Sequence, residues 1–213
     1  MKKVAIILLA LIMLTGCVSI EKSSYQEIIK EATKSKEKIY NTYRSGYKFY
    51  LPKGLYVEDS SEYNEILKGQ NAYYYLYIDI ISYLNKKEVS YEENKSSHYS
   101  KAIKEDNTFG YIEINRQNEK YLIEIIYNYA KIEVMVEEDD LKVAVANSIV
   151  ILSSIYYNDS LLKQLSEDNL LSYSEETVDI FETRGKETSN FLKYVEEEYS
   201  DEEYEIPDYD LIN

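Results

Sequence analysis

Tryptophan is absent from this chain, and cysteine, histidine and proline are almost absent: one Cys, one His and two Pro in 213 residues, with six Gly. A single cysteine excludes an internal disulfide and any paired-thiolate metal site. A single histidine excludes the zinc motifs that need two. So little proline and glycine excludes a long flexible linker. Basic residues are also few, 24 against 39 acidic ones, for a formal net charge of −15. That balance leaves no basic patch to displace counterions from phosphate, so nucleic acid is not an expected partner. It reads instead as a solubilising, self-repelling surface. No Gly-rich phosphate loop of either common spacing occurs. Hydrophobic content of 45% is enough for a real core.

The lone histidine, His98, lies in Ser96-Ser97-His98 on a polar stretch. Adjacent serines there do not give the positioned nucleophile, base and orienting acid of a hydrolase triad. Glu137-Glu138-Asp139-Asp140 has metal-ligand chemistry, but its place before an apolar helical run makes it a loop and helix cap. The residues therefore point to a non-enzymatic chain, with no cofactor and no metal expected.

What is present begins with a short apolar run. Met1-Lys2-Lys3 is positive, Val4 to Leu14 is apolar, and Thr15-Gly16 is a pair of small residues before Cys17. This is the anatomy of a secretory signal, and it is shorter than the about 20 apolar residues of a transmembrane helix. Leu14-Thr15-Gly16-Cys17 resembles the lipobox of bacterial lipoproteins. The resemblance implies cleavage after Gly16 and a diacylglyceryl group on the Cys17 sulfur, which also accounts for the single thiol. Two acyl chains give stable attachment where one gives marginal attachment. The expectation is a chain held to membrane lipid on the extracytoplasmic side, cell surface or periplasmic. Residues 17–24 are then a short tether, so the folded part lies close to the bilayer.

Residues 25–158 read as one α+β domain. Tyr25, Ile28, Ile29, Ala32, Ile39, Tyr40 and Tyr43 recur near a 3.6-residue period, which predicts a helix from Tyr25 to Tyr43, capped by Ser24 and stopped by Gly46. Tyr47 to Leu51 predicts a strand, Pro52-Lys53-Gly54 a turn, and Leu55 to Val57 a resumed strand. Ser60 to Gln70 reads as loop or a helical turn. Ala72 to Leu84 predicts one long strand whose odd positions form a tyrosine stripe: Tyr73, Tyr75, Tyr77, Asp79 and Tyr83. Those five are the candidate interaction surface, because tyrosine joins apolar area to a polar tip. The 25 tyrosines, rich company for Ile, Lys and Asn, are equally what an AT-rich coding sequence yields.

Lys86 to Ser97 is a polar loop. Tyr99 to Lys104, Phe109 to Asn115, Lys120 to Tyr127 and Ala130 to Val136 predict strands, the last three an antiparallel meander turning at Arg116–Glu119 and Asn128-Tyr129. In the last strand Ala130, Ile132 and Val134 face inward, Lys131 and Glu133 outward. Leu141 to Tyr156 predicts a second helix capped by Asp139 or Asp140, with Leu141, Ala144, Val145, Ser148, Leu152 and Ile155 as its buried stripe. The sum is an antiparallel sheet packed against an N-terminal and a closing helix, an α/β/α-like sandwich. The element order from Tyr47 to Asn158 resembles the PsbP/Mog1-like sandwich, with its early strand and Pro-Gly turn. Such a fold would not supply a function.

Residues 159–199 read as a C-terminal extension. Residues 200–213 read as an acidic disordered tail, since Glu196 to Asp210 holds nine carboxylates and no basic residue. The functional expectation is a lipid-anchored binding or accessory lipoprotein with a protein partner in the envelope. The alternative is a small-molecule receptor or a hydrolase acting on the cell wall.

Overall fold

The computed structural model describes residues 20–34, 39–87, 89–105 and 107–167. Cys17, Gly16, the region of Thr177 to Phe181 and the tail 200–213 lie outside the described residues.

A 3₁₀ turn, Ile20–Lys22, leads into α1, Tyr25–Lys34. Ser24 starts that helix with a reciprocal capping box. Glu27 N–H donates to Ser24 Oγ at 3.2 Å, and Ser24 N–H donates to the Glu27 carboxylate at 2.8 Å. These bonds hold the Glu27 carboxyl below its ordinary pKa. Ile28 and Ile29 are its buried residues. The periodicity that predicts helix as far as Tyr43 misleads. Thr42–Tyr43 is a short strand, β1, and Ile39 on the supposed apolar stripe is 70% exposed. β1 pairs with β2, Tyr47–Phe49, around Gly46, whose φ of +92° only glycine adopts freely. Gly46 is thus a hairpin turn residue rather than a helix stop.

The Pro52–Gly54 turn is present, closed by Leu55 N–H donating to Pro52 O at 3.1 Å. Ser60 to Gln70 is not a loop. β3, Tyr56–Ser61, and β4, Asn64–Lys68, form a hairpin in that stretch. β3 is almost wholly exposed, carrying Glu58, Asp59 and Ser60 with no apolar alternation. Charge on an edge strand blocks edge-to-edge pairing, and it also hides the strand from a hydrophobicity pattern.

β5, Tyr73–Ile78, ends well before Leu84. Asp79 accepts the Ser82 N–H at 2.8 Å and starts α2, Ile80–Asn85. The run of aromatic and β-branched residues predicted strand, but a carboxylate three residues before a serine N–H gave the backbone a better partner. β6 (Tyr99–Glu105), β7 (Thr108–Gln117), β8 (Lys120–Tyr127) and β9 (Ala130–Val136) follow. The β8–β9 turn has positive φ at both Asn128 and Tyr129, 54° and 57°, the geometry that matches strand twist in a two-residue hairpin.

α3, Leu141–Ser154, is the long closing helix, and all six residues of the expected stripe are buried. Asp140 stands at its cap position, but the carboxylate accepts from Asn71 Nδ2 at 3.1 Å instead of capping. Tyr156–Tyr157 then forms a two-residue strand, β10, before α4, Asp159–Glu167. Leu162 of α4 is fully buried, and a Cβ on Gly46 would stand 2.4 Å from its side chain.

The larger sheet runs β3-β4-β5-β9-β8-β7-β6, antiparallel throughout; the smaller is β1-β2-β10. The protein is therefore a mixed α+β fold with helices packed on a sheet. Its core lies between the α1–α3 pair and one sheet face, built from Leu67, Leu76, Ile112, Ile114, Ile123, Ile125, Ile132 and Val134. At Gly110 the strands close so tightly that a Cβ would stand 1.9 Å from the Ile126 carbonyl oxygen.

Candidate functional site

The sheet face turned away from α1 and α3 carries rows of tyrosines and carboxylates among the described residues. Directly opposed residues of antiparallel strands point to the same side, so the register fixes this face row by row. One row is Tyr56, Lys68 and Tyr73. A second is Asp59, Ile66, Tyr75, Glu133, Glu124, Glu113 and Ser100. A third is Asn64, Tyr77, Lys131, Ile126 and Tyr111.

Of the expected surface residues, Tyr73, Tyr75 and Tyr77 do share this face. Tyr73 is 41% exposed, and Tyr75 and Tyr77 are half-buried. They are joined by Tyr56, 50% exposed, which the loop reading of its neighbourhood concealed. Lys68 stands between Tyr56 and Tyr73, its Nζ 5.1 Å from the Tyr73 ring centroid. Hydrogen bonding to the two tyrosines pushes the Lys68 amine above its ordinary pKa. A cation held over an aromatic face adds electrostatic attraction to the apolar area of the ring. The outcome is an aromatic–lysine strip along β3, β4 and β5.

Asp79 and Tyr83 leave this surface. Asp79 is 4% exposed, and its carboxylate is occupied by the start of α2. Burial raises its pKa. Tyr83, on α2, stacks on Tyr157 with ring centroids 3.9 Å apart, meets Tyr129 edge-on, and donates to the Asp159 carboxylate. Tyr157 in turn donates to the carbonyls of Asn128 and Tyr129 at 2.7 and 3.1 Å. This aromatic knot fastens α2 and α4 to the β8–β9 turn.

Next to the tyrosine strip lies a ladder of carboxylates. Glu113, Glu124 and Glu133 are directly opposite one another on β7, β8 and β9, and Glu113 and Glu133 are buried. Glu133 therefore does not face water, contrary to the simple alternation. Each carboxylate has its own donors. Glu113 accepts from Tyr91 Oη at 2.6 Å, Ser97 Oγ at 2.9 Å, Asn115 Nδ2 at 2.9 Å and Asn94 Nδ2 at 3.0 Å. Tyr111 donates to Glu124 at 2.7 Å, and Lys131 pairs with Glu133 at 3.0 Å. Like charges opposite one another destabilise a sheet, and charge-assisted bonds of this kind offset that cost. The Glu113 contacts also pin the loop of residues 89–98 across the sheet, with Tyr91 stacked on Tyr111 at 4.0 Å.

His98 is exposed, edge-on to the Tyr121 ring at 4.9 Å. Its neighbour Ser97 is turned to Glu113. Among the described residues, no group of three or more His, Cys, Asp or Glu side chains is arranged to hold a metal ion. Among the same residues, no helix is long and apolar enough to cross a membrane.

No family model matches the chain, and no curated protein or solved structure is significantly similar to it.

Proposed function

We propose that the chain is a lipid-anchored lipoprotein of the extracytoplasmic membrane face. In this reading it is a non-enzymatic binding or accessory module that offers the tyrosine side of its sheet to a protein partner in the envelope. The anchor is read from Leu14 to Cys17. The observation that carries the binding role is the strip Tyr56–Lys68–Tyr73, with two large aromatics about half exposed on one rigid sheet face. Rigid aromatic side chains give contact area at low entropic cost, which is why recognition surfaces are enriched in them. The sheet holds them in place before any partner arrives, which reduces the ordering cost of association.

Two experiments test the reading. Cys17→Ser is expected to release or mislocalise the protein while leaving the domain folded. Full retention in the membrane after a carbonate wash would overturn the anchor. A photo-crosslinking residue at Tyr73 in the native envelope is expected to capture a discrete protein, and Tyr56→Ala to weaken that capture. Capture no greater than from a probe at exposed Lys163 would overturn the assignment of the surface.

A further inference from the structure

We propose that the outer surface of the α1–α3 helix pair is the side of the domain that rests on the phospholipid bilayer. The inference builds on the proposed lipid at Cys17, and four observations carry it.

The first is reach. Ile20 lies three positions after Cys17, and three extended residues span at most about 11 Å. The Ile20–Lys22 turn is fixed to the start of α3, where Lys142 Nζ donates to the Glu21 carbonyl at 2.6 Å. The described chain therefore enters the fold at the helix layer, a few residues after Cys17.

The second is exposed apolar area at that point. Ile20 is 43% exposed and Val143 is 44% exposed. The two flank the Lys142–Glu21 contact in sequence, one on each side of it.

The third is the character of α3. A surface helix ordinarily turns a polar stripe outward. In α3, Val143, Ala146 and Val150 follow one another at helical spacing; Val143 is exposed, and Ala146 and Val150 are only partly buried.

The fourth is charge. The helix layer carries Lys22, Lys30, Lys34 and Lys142 against Glu21, Glu27 and Glu31. The competing surface within reach of the anchor is the rim at the same end of the sheet. That rim holds Glu119, Glu137, Glu138, Asp139 and Asp140 against Arg116 and Lys120. Anionic headgroups attract juxtamembrane lysines and repel carboxylates. In a chain of net charge −15, the helix layer is the side a membrane accepts, with lysine stems lying along the headgroups.

This stance has a consequence for the tyrosine strip. It lies on the sheet face opposite the helices, so it points away from the bilayer towards the envelope space.

The absence of tryptophan makes the test direct, because each introduced Trp is a unique fluorophore. Val143→Trp, Lys30→Trp, Glu138→Trp and Tyr73→Trp all fall at exposed positions. Each lipidated variant, with the lipid on Cys17 verified by mass spectrometry, is reconstituted in phosphatidylethanolamine–phosphatidylglycerol vesicles containing brominated acyl chains. Fluorescence of the Val143→Trp variant is expected to be quenched severalfold more than that of the probes at 138 and 73, with the probe at 30 in second place. Strongest quenching at position 138 would mean that the domain stands on its rim, strongest quenching at 73 that it lies on its sheet face, and equal or no quenching at all four that it hangs free; each of these overturns the stance alone. A Cys17 without lipid overturns the anchor reading and the stance with it.

Discussion

The Arg44 guanidinium grips the buried Glu65 carboxylate at two points, Nε to Oε1 at 2.6 Å and Nη2 to Oε2 at 2.7 Å. Tyr47 Oη adds a third bond to Oε1 at 2.9 Å. The pair ties the small sheet to β4 of the large one. Arg44→Met is expected to destabilise the fold by about 3–5 kcal/mol, because it strands a buried charge. The double variant Arg44→Met/Glu65→Met is expected to recover most of that loss. Urea unfolding of the three chains measures it, and a double variant no more stable than the single one would contradict the account.

Asp79 separates capping from charge. Asp79→Ala removes the acceptor for the Ser82 N–H and is expected to cost about 1 kcal/mol. Asp79→Asn keeps an oxygen acceptor and removes a buried charge, so it is expected to equal or exceed the parent in stability at neutral pH. The pKa of Asp79 is raised in the fold by burial. The folded state therefore binds more protons than the unfolded chain just above the ordinary carboxylate pKa, and stability falls as pH rises through that window. The gap between Asp79→Asn and the parent should close as pH is lowered through the folded pKa. A gap independent of pH would show that charge plays no part.

Asp159 behaves with the opposite sign. The hydrogen bond from Tyr83 lowers its pKa. The bond thus contributes stability at pH values above the unfolded pKa, and that contribution is lost as pH falls through the folded one. Tyr83→Phe is expected to be less stable than the parent at neutral pH, with the difference shrinking in acid below the ordinary aspartate range. Chemical unfolding across an acid pH series checks this, and parallel curves for the two chains would refute it.

The helix-side core is tested at Ile123 and Leu152, both fully buried. Ile123→Ala or Leu152→Ala is expected to cost about 2–5 kcal/mol, the usual range for emptying a packed aliphatic position. A loss below about 0.5 kcal/mol in denaturant unfolding, the range of ordinary surface substitutions, would place the core elsewhere.

Local chemistry by itself determined a large part of this protein. Runs of β-branched and aromatic residues bounded by turn residues set β8 and β9 to the residue, and Asn128-Tyr129 set the hairpin between them. Ser24 with Glu27 set the start of α1, and Pro52 to Gly54 set their turn. The continuous stripe from Leu141 to Ile155 set α3 and its buried side. In each case the signal lies within a few residues of the structure it produces.

Tertiary structure decided the rest, because there the local preference was outweighed by distant partners. Residues 39–43 keep a helical apolar spacing, yet β1 forms where Thr42 and Tyr43 pair with Phe49 and Lys48. β3 has no core-facing pattern of its own and exists as a strand because β4 satisfies its backbone. One tyrosine run was divided at Asp79, which left Tyr73, Tyr75 and Tyr77 on the sheet and sent Tyr83 to Tyr157 and Asp159. Glu65, Glu113 and Glu133 are carboxylates that composition assigns to solvent. Glu65 and Glu113 are buried because Arg44 and the Tyr91, Asn94 and Ser97 donors, brought from other strands and loops, meet them with charge or hydrogen bonds, whereas Glu133 is met by Lys131 two residues away on its own strand. Sequence spacing carries no record of partners that only the folded chain brings within bonding distance, and those partners are what offset the cost of burying a carboxylate.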